Sequence, residues 1–379
     1  MSKPKLLLAG PLPPPYSGQE KITEIILNSK IAKYFELVHV DSSNKQQGNQ
    51  DRGTLKLVNI FGTLKVSWQL FNKLSRNEIQ VASIPLSANR LGFVKYMFMI
   101  LPCLLFKTQV ISVMGGSHFN KFFRSQPKIF QFFINSTIRH IDCIIVRGNN
   151  QKEQFSGIYH GELETVYCPS VSPIAQRKEV NLSDKKQINI LFLSIVSQAK
   201  GAFDLIKAIP QLLKANNRLF FHFVGDKTTK ERNITYIKSY NFDAQDFIVK
   251  NNIQNKVKFY GCIKSKNKED MFKKADIFVF PSYSEGFPFA VIEAMEHRLP
   301  VISTRVGALP EVFKHEKEIY FIPKNSPQKI KDAVLELINN PKLVKKMTEN
   351  SIIVLKSKLN IHKFEGRMID IFKKQCGSG

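Results

Sequence analysis

Glu285 and Glu293 are two carboxylates eight residues apart, with a Gly286-Phe287-Pro288 turn between them. Pro288 suits the start of a helix, where its fixed φ is helical and its missing N–H leaves nothing unsatisfied. The next residues, Phe289, Ala290 and Val291, are expected to offer their backbone N–H groups at that start. Phe287, the expected N-cap, has no side-chain acceptor, so those amides read as uncapped. Amides at the positive end of a helix dipole form an anion site. A phosphate on the amides and hydroxyls on the two glutamates together describe a sugar nucleotide. The same spacing also fits an ordinary strand–helix unit carrying two solvated acids.

Residues so placed need a strand before them and a helix after. Ile277-Phe278-Val279-Phe280 is a short apolar run, the pattern of a parallel strand buried on both faces. Pro281 ends it, Ser282 to Phe287 form a loop, and 289–297 continue as a helix. The pattern recurs along the chain. A strand over 5–9 runs into a Gly/Pro loop ending at Gly18 and a helix from Gln19 to Asn28. Strands are expected at 35–40, 79–84, 109–113 and 142–146, and helices at 55–75, 90–106 and 119–140. A second series has strands at 188–194, 219–224, 257–260 and 300–304, with helices at 202–215, 268–274 and 327–358. A last helix covers 362–374. Alternation of this kind predicts an α/β chain of two Rossmann-like domains. The irregular stretch over 170–187 is the expected linker, and the polar connection over 227–250 is unusually long. No G-x-G-x-x-G follows a strand, so dinucleotide binding is poorly supported.

Glu285-Gly286-Phe287-Pro288, with Glu293 eight positions after Glu285, resembles the E-x7-E motif of retaining glycosyltransferases of the GT-B fold, family 4. The resemblance extends over the C-terminal half. Lys200-Gly201 matches the end of the family's G-R-L-x-x-x-K-G segment, and Arg305 to Glu311 resembles its G-G-x-x-E loop, with Ala308 replacing the second glycine. It implies two Rossmann-like domains facing a cleft: an acceptor domain over 1–172, a nucleotide-sugar domain over 184–358, and a last helix (360–376) packing back on the first. It implies transfer of a sugar from a nucleoside diphosphate sugar to a hydroxyl of a glycan or lipid-linked acceptor, in cell-surface polysaccharide synthesis. Glu293 would hold the ribose hydroxyls and Glu285 those of the transferred sugar, with Gly286 and Phe287 lending amides. Lys200, Gly201 and the helix start at 289–291 would hold the diphosphate. Across the chain, Gly18 matches the second glycine of a P-x-x-G-G loop, where Ser17 replaces the first, and would join the donor-binding set by letting backbone approach the diphosphate. Gly115 and Gly116 would let backbone approach the sugar, and His118 would stand in for a histidine whose family position holds Met114. Ile195 occupies the place of the family's arginine, which removes one bidentate phosphate partner. No metal and no cofactor are expected. A nucleotide-sugar epimerase of the same fold and a non-catalytic sugar-nucleotide-binding protein are the alternatives.

The chain as a whole bounds these readings. Its 379 residues exceed one ordinary domain. Five widely spaced cysteines, an odd number without CxxC spacing, argue against a disulfide framework or structural zinc and for a reducing, cytoplasmic setting. The longest membrane-like run, Leu91 to Phe106, contains Lys95 and Pro102 and falls short of a span of about 20 residues. The formal net charge is +25, and Glu78 is the only acid between residues 52 and 141. That segment is also rich in Phe, Leu and Met, so peripheral contact with an anionic membrane is expected. A nucleic-acid partner is not, since no helix-turn-helix, zinc finger or RNP motif is present.

Overall fold

A computed structural model describes residues 3–13, 17–43, 57–176, 181–225, 242–263 and 265–377. Residues 14–16 of the first Gly/Pro loop, the polar stretch before Gly53 and most of the long connection expected over 227–250 lie outside them. The chain divides into two units: residues 1–168 with 361–379, and residues 169–360.

The first unit holds β1 (Lys5–Gly10), β2 (Glu36–Asp41), β3 (Ile79–Leu86), β4 (Gln109–Met114), β5 (Cys143–Val146) and β6 (Glu162–Thr165). They form one parallel sheet in the order β2-β1-β3-β4-β5-β6. Its helices are α1 (Gly18–Leu27), α2 (Ile31–Tyr34), α3 (Leu57–Arg76), α4 (Arg90–Leu105), α5 (Phe119–Arg124) and α6 (Lys128–Ile138). The second unit holds β7 (Ile188–Leu193), β8 (Leu219–Val224), β9 (Val257–Phe259), β10 (Ile277–Phe280), β11 (Val301–Thr304) and β12 (Tyr320–Ile322), again all parallel, ordered β12-β11-β10-β7-β8-β9. Its helices are α7 (Ala202–Ala215), α8 (Ala244–Lys250), α9 (Ser265–Lys274), α10 (Phe289–Glu296), α11 (Leu309–Val312), α12 (Pro327–Asn339) and α13 (Pro341–Ser357). The last helix, α14 (Ile361–Cys376), returns to the first unit. There Phe372 meets Phe35 edge to face at 5.8 Å, and the Glu365 carboxylate accepts from the Lys30 amide at 2.8 Å.

The strands form where apolar runs can be buried on both faces, and β10 is buried along its whole length. Several elements depart from expectation, among them the three-residue strand β12, which was not expected. The helix expected over 119–140 is two helices, because Pro127 cannot donate the hydrogen bond that would carry the first turn forward. Strand β6 was not expected. Its sequence, Glu-Leu-Glu-Thr, has no apolar run because it is an edge strand paired only with β5. Its two acids are met from α14, Glu164 by Arg367 and Glu162 by Lys374 and Gln375.

Both sheets have a switch point, where consecutive connections leave in opposite directions along the sheet. In the first it lies between β1 and β3, in the second between β7 and β10. In open parallel sheets the crevice outside the carboxyl ends at such a point is where ligands bind. The loops after β7 and β10 carry Lys200 and Glu285.

Candidate active site

In the second unit the loops at the switch point are built against one another. Gly201 has φ +71°, and a Cβ there would lie 1.9 Å from the Pro281 carbonyl oxygen, so only glycine lets the chain after β7 approach the end of β10. Tyr283 ties the same loops together. Its amide donates to the Ala199 carbonyl at 3.0 Å, and its hydroxyl donates to Asp204 at 2.7 Å while accepting from Gln198 at 2.7 Å. Burial raises the Asp204 carboxyl above its ordinary range, and the Tyr283 and Gln198 hydrogen bonds oppose that rise.

The lock has a third side. Gly307, after β11, has φ +53°, and its Cβ would stand 1.9 Å from the Gly286 carbonyl oxygen. That carbonyl accepts from the Ala308 amide at 2.9 Å. The Thr304 hydroxyl donates to the Ser282 carbonyl. Loop 281–288 is therefore held by the chain on both sides of β10, and Glu285 sits on a fixed support.

On that support Lys200 Nζ lies 2.6 Å from Glu285 Oε1, and the Ser282 hydroxyl donates to the same oxygen at 2.9 Å. Both members of the pair are only partly exposed, so the interaction is less screened than one on the open surface. Glu293, on the second turn of α10, is buried, and its Oε2 lies 2.6 Å from Lys268 Nζ on α9. Each glutamate of the motif thus has its own ammonium partner. Lys268 was not among the expected site residues. It stands in the lysine-rich stretch 264–268, where no spacing distinguishes one lysine from its neighbours, and α9 begins three residues before the expected helix.

The start of α10 differs in detail from expectation. The N-cap is Pro288, with extended ψ (116°), so the helix opens one residue later than the Phe287 cap would place it. Phe287 is buried instead, its ring 6.5 Å from that of Phe313. No side chain caps the helix, but the Val291 amide donates to the Pro288 carbonyl at 3.2 Å. Val291 is thereby removed from the expected set of uncapped amides. Phe289 and Val291 bury their side chains, while Ala290 is half-buried. Ile195, in the loop after β7, is exposed, an apolar side chain where the resemblance places an arginine.

In the first unit Gly18 is the first residue of α1. Ser17 is its N-cap, yet its hydroxyl engages the buried Glu20 carboxylate rather than a helix amide. Gly115 and Gly116 follow β4, and a Cβ on Gly115 would come within 3.3 Å of Gln19 Oε1, so this loop adjoins the start of α1. Met114 is buried in the core at the end of β4. His118 is exposed at the N-cap of α5 and does not cap it with its side chain. The structure thus brings Lys200, Gly201, Glu285, Gly286 and Glu293 together in one unit. It gathers Gly18, Gly115 and Gly116 at the carboxyl edge of the sheet in the other.

Lys200, Glu285 and Glu293 fall in one stretch of chain. Residues 174–353 match the glycosyl transferases group 1 family. Among curated proteins, an uncharacterized glycosyltransferase of Methanocaldococcus jannaschii is 32% identical over 152 residues, 40% of this chain and 40% of that protein. A putative teichuronic acid biosynthesis glycosyltransferase of Bacillus subtilis is 30% identical over 158 residues, 42% of this chain and 34% of that one. The matches thus span less than half the length of these relatives. A putative colanic acid biosynthesis glycosyltransferase of Escherichia coli is 24% identical over 185 residues, 45% of this chain and 43% of that protein. Among solved structures, sucrose-phosphate synthase from Thermosynechococcus elongatus superposes with a TM-score of 0.75 at 13% identity, covering 100% of each chain. Anabaena HepE in complex with UDP and glucose superposes with a TM-score of 0.70 at 13% identity, covering 98% of this chain and 99% of that one. The chain has the two-domain α/β GT-B fold.

Proposed function

We propose that the chain is a retaining glycosyltransferase that moves a sugar from a nucleoside diphosphate sugar to a hydroxyl of a glycan or lipid-linked acceptor, in the assembly of a cell-surface polysaccharide. The observation that carries this reading is the Lys200–Glu285 pair, 2.6 Å apart at the switch point of the second sheet, with Glu293 eight residues further on. A single ligand satisfies this set if it has an anionic group for the ammonium and hydroxyls for the carboxylates. The names of the relatives, two of them tied to polysaccharide synthesis, support the same reading.

In this scheme the second unit takes the donor and the first the acceptor. The Lys200 ammonium moves from Glu285 to the diphosphate, and Glu285, released, accepts hydrogen bonds from the transferred sugar. Glu293 accepts from the ribose hydroxyls. The Gly286 and Phe287 amides and the start of α10 add dipoles already oriented toward the anion, the form of assistance that contributes most when charge develops on a leaving group. The bond from the anomeric carbon to the phosphate oxygen breaks, and the acceptor oxygen bonds to that carbon on the same face. The acceptor's proton passes to the departing phosphate, leaving a free nucleoside diphosphate. Charge neutralisation by Lys200 and the amides makes a metal unnecessary in this scheme. Gly115, Gly116 and His118 would line the sugar and acceptor side, and Gly18 would lend a close backbone approach to the diphosphate.

The exposed Ile195 favours a second reading, a sugar-nucleotide-binding protein that does not turn over, since an arginine's bidentate hold on the diphosphate is missing. One screen separates the two. Thermal shift and donor hydrolysis are measured over UDP-, GDP- and ADP-sugars. A donor that both stabilises and is hydrolysed or transferred supports the enzyme. Stabilisation without turnover, with every acceptor class tried, supports the binding protein. Epimerised donor without acceptor points to an epimerase, and binding of none of them removes the proposal.

A further inference from the structure

Helices α3, α4 and α6 each connect strands in the same direction along the first sheet, so right-handed crossovers place all three on one face of it. Their inner residues share one core. Leu70 and Leu74 of α3, Phe93 and Met99 of α4 and Ile134 of α6 all pack in the same cluster against the strands. Their outer faces should therefore be polar, but they are not. On α3, Phe61, Leu64 and Trp68 are exposed at spacings of three and four, one stripe of the helix. On α4, Phe98, Leu101 and Leu105 repeat that spacing, and on α6, Ile129, Phe132 and Phe133 are exposed. Trp68 is 63% exposed, Leu105 71% and Ile129 70%, so these side chains stand clear of the fold.

The stripes on α3 and α4 are joined. The Ser67 hydroxyl donates to the Phe98 carbonyl at 2.7 Å. Phe71 stacks on Trp68 at 5.6 Å and also meets Phe106 at 5.4 Å. On the far side of α4, Phe130 of α6 packs on Phe93 at 6.2 Å. The charges among them carry one sign. Between residues 52 and 141 there are twelve Lys and Arg and a single acid, Glu78. Lys65, Lys107, Arg124 and Lys128 are exposed beside the apolar stripes.

We propose that this helical layer is a docking face for an anionic phospholipid bilayer, with the aromatic and aliphatic stripes entering the headgroup boundary and the lysines and arginines held at lipid phosphates. Apolar residues whose charged neighbours along the described chain from 61 to 141 are all cations except Glu78 match the chemistry of that surface. They do not match a second copy of the same face, where a two-fold axis would set lysines and arginines against one another with Glu78 as the single acid of the segment to receive them. No helix among the described residues is long and apolar enough to cross a membrane, so the contact is of a layer lying on the surface. The inference is independent of the donor chemistry proposed above.

Trp68 is the only tryptophan in the chain, so intrinsic fluorescence reports on the middle of the face. The full chain is titrated with vesicles of phosphatidylcholine alone or of phosphatidylcholine mixed with phosphatidylglycerol, following emission, acrylamide quenching and flotation. Mixed vesicles are expected to shift the emission to the blue, protect it from quencher and carry the protein up the gradient. Phosphatidylcholine alone is expected to do so at least tenfold more weakly. Lys65→Glu with Lys107→Glu should weaken flotation roughly tenfold or more, and Leu105→Ser with Phe132→Ser should weaken it at high salt as well as low. These positions are exposed, and an unchanged thermal transition verifies that the variants fold. Three results overturn the proposal: no spectral change with mixed vesicles, binding indifferent to lipid charge, or a blue shift that follows protein concentration without lipid. The last would assign the face to self-association.

Discussion

Replacing Gly307 by alanine tests whether the site's rigidity comes from backbone packed on backbone. Two effects separate in this unit because Gly261 provides a comparison. Both glycines have left-handed backbone, φ +53° at Gly307 and +66° at Gly261. A Cβ at Gly261 meets nothing within 4 Å, whereas at Gly307 it would stand 1.9 Å from the Gly286 oxygen and 2.7 Å from the Glu285 oxygen. The left-handed conformation costs a non-glycine residue about 1–2 kcal/mol, offset in part by the smaller entropy of the unfolded chain. Gly261→Ala is therefore expected to lose about 1 kcal/mol. In Gly307→Ala the loop must also move by roughly 1.5 Å to reach an ordinary contact distance. That displacement breaks the Ala308 to Gly286 hydrogen bond, adding about 1–3 kcal/mol. The total is about 2–4 kcal/mol. For a unit of this size it lowers the melting temperature by about 10 °C, against about 3 °C for Gly261→Ala. Thermal unfolding of the two variants beside the parent measures both. Because the displaced atoms belong to Glu285 and Gly286, Gly307→Ala should also weaken nucleotide-sugar binding at temperatures where it is fully folded. Equal losses in the two variants would refute the argument, because the steric term would then be absent.

Glu293→Gln is expected to weaken donor binding about tenfold or more with little change in turnover of bound donor, while Glu285→Gln lowers turnover more than affinity; titration calorimetry and single-turnover rates separate the two. Lys268→Met leaves the buried Glu293 carboxylate without its cation and should cost about 1–2 kcal/mol, between the values for exposed and buried pairs, and Lys268→Met with Glu293→Gln should recover most of it in thermal melts. His222 is held below its ordinary value of 6.5, first by burial and then by the nearby Lys258. The unfolded chain therefore takes up the proton first. Stability should be level above about pH 6.5 and fall as the pH drops below it toward the lowered folded value, and His222→Gln should flatten that fall in urea titrations at a series of pH values.

Most of the second unit's strands were legible because they are apolar runs bounded by turn residues, such as Ile277 to Phe280 before Pro281 and Ile188 to Leu193 before a polar loop, while the three-residue β12 was not expected. A buried parallel strand leaves that mark whatever surrounds it. Edge strand β6 leaves none, because only one neighbour and a helix cover it, and its glutamates are explained by cations about 200 residues later in the chain. Local chemistry was readable to within a residue at the start of α10, where proline marked the boundary but not which side of it the helix begins. Lys268 illustrates the other limit. Its partner is set by how α9 packs beside α10, and one lysine among several in a row carries no signal of that packing. Likewise the Ser17–Glu20 contact makes Ser17 part of a local polar pair, which spacing alone did not reveal.

The return of α14 to the first unit has a consequence for biosynthesis. Residues 169–360 form a unit from uninterrupted chain, whereas the unit that begins at the N-terminus lacks α14 until residues beyond 360 have left the ribosome. At ordinary elongation rates that delay is roughly 10–40 s. During it Phe35 has no Phe372 to meet, and the acids of β6 await Arg367 and Lys374. The unit whose strands precede residues 169–360 is thus completed after them, and the nascent chain carries an unfinished sheet edge while the second unit is made behind it. A stalled or C-terminally clipped chain would keep that edge open, and its quality control would fall to whatever chaperone recognises an uncovered strand.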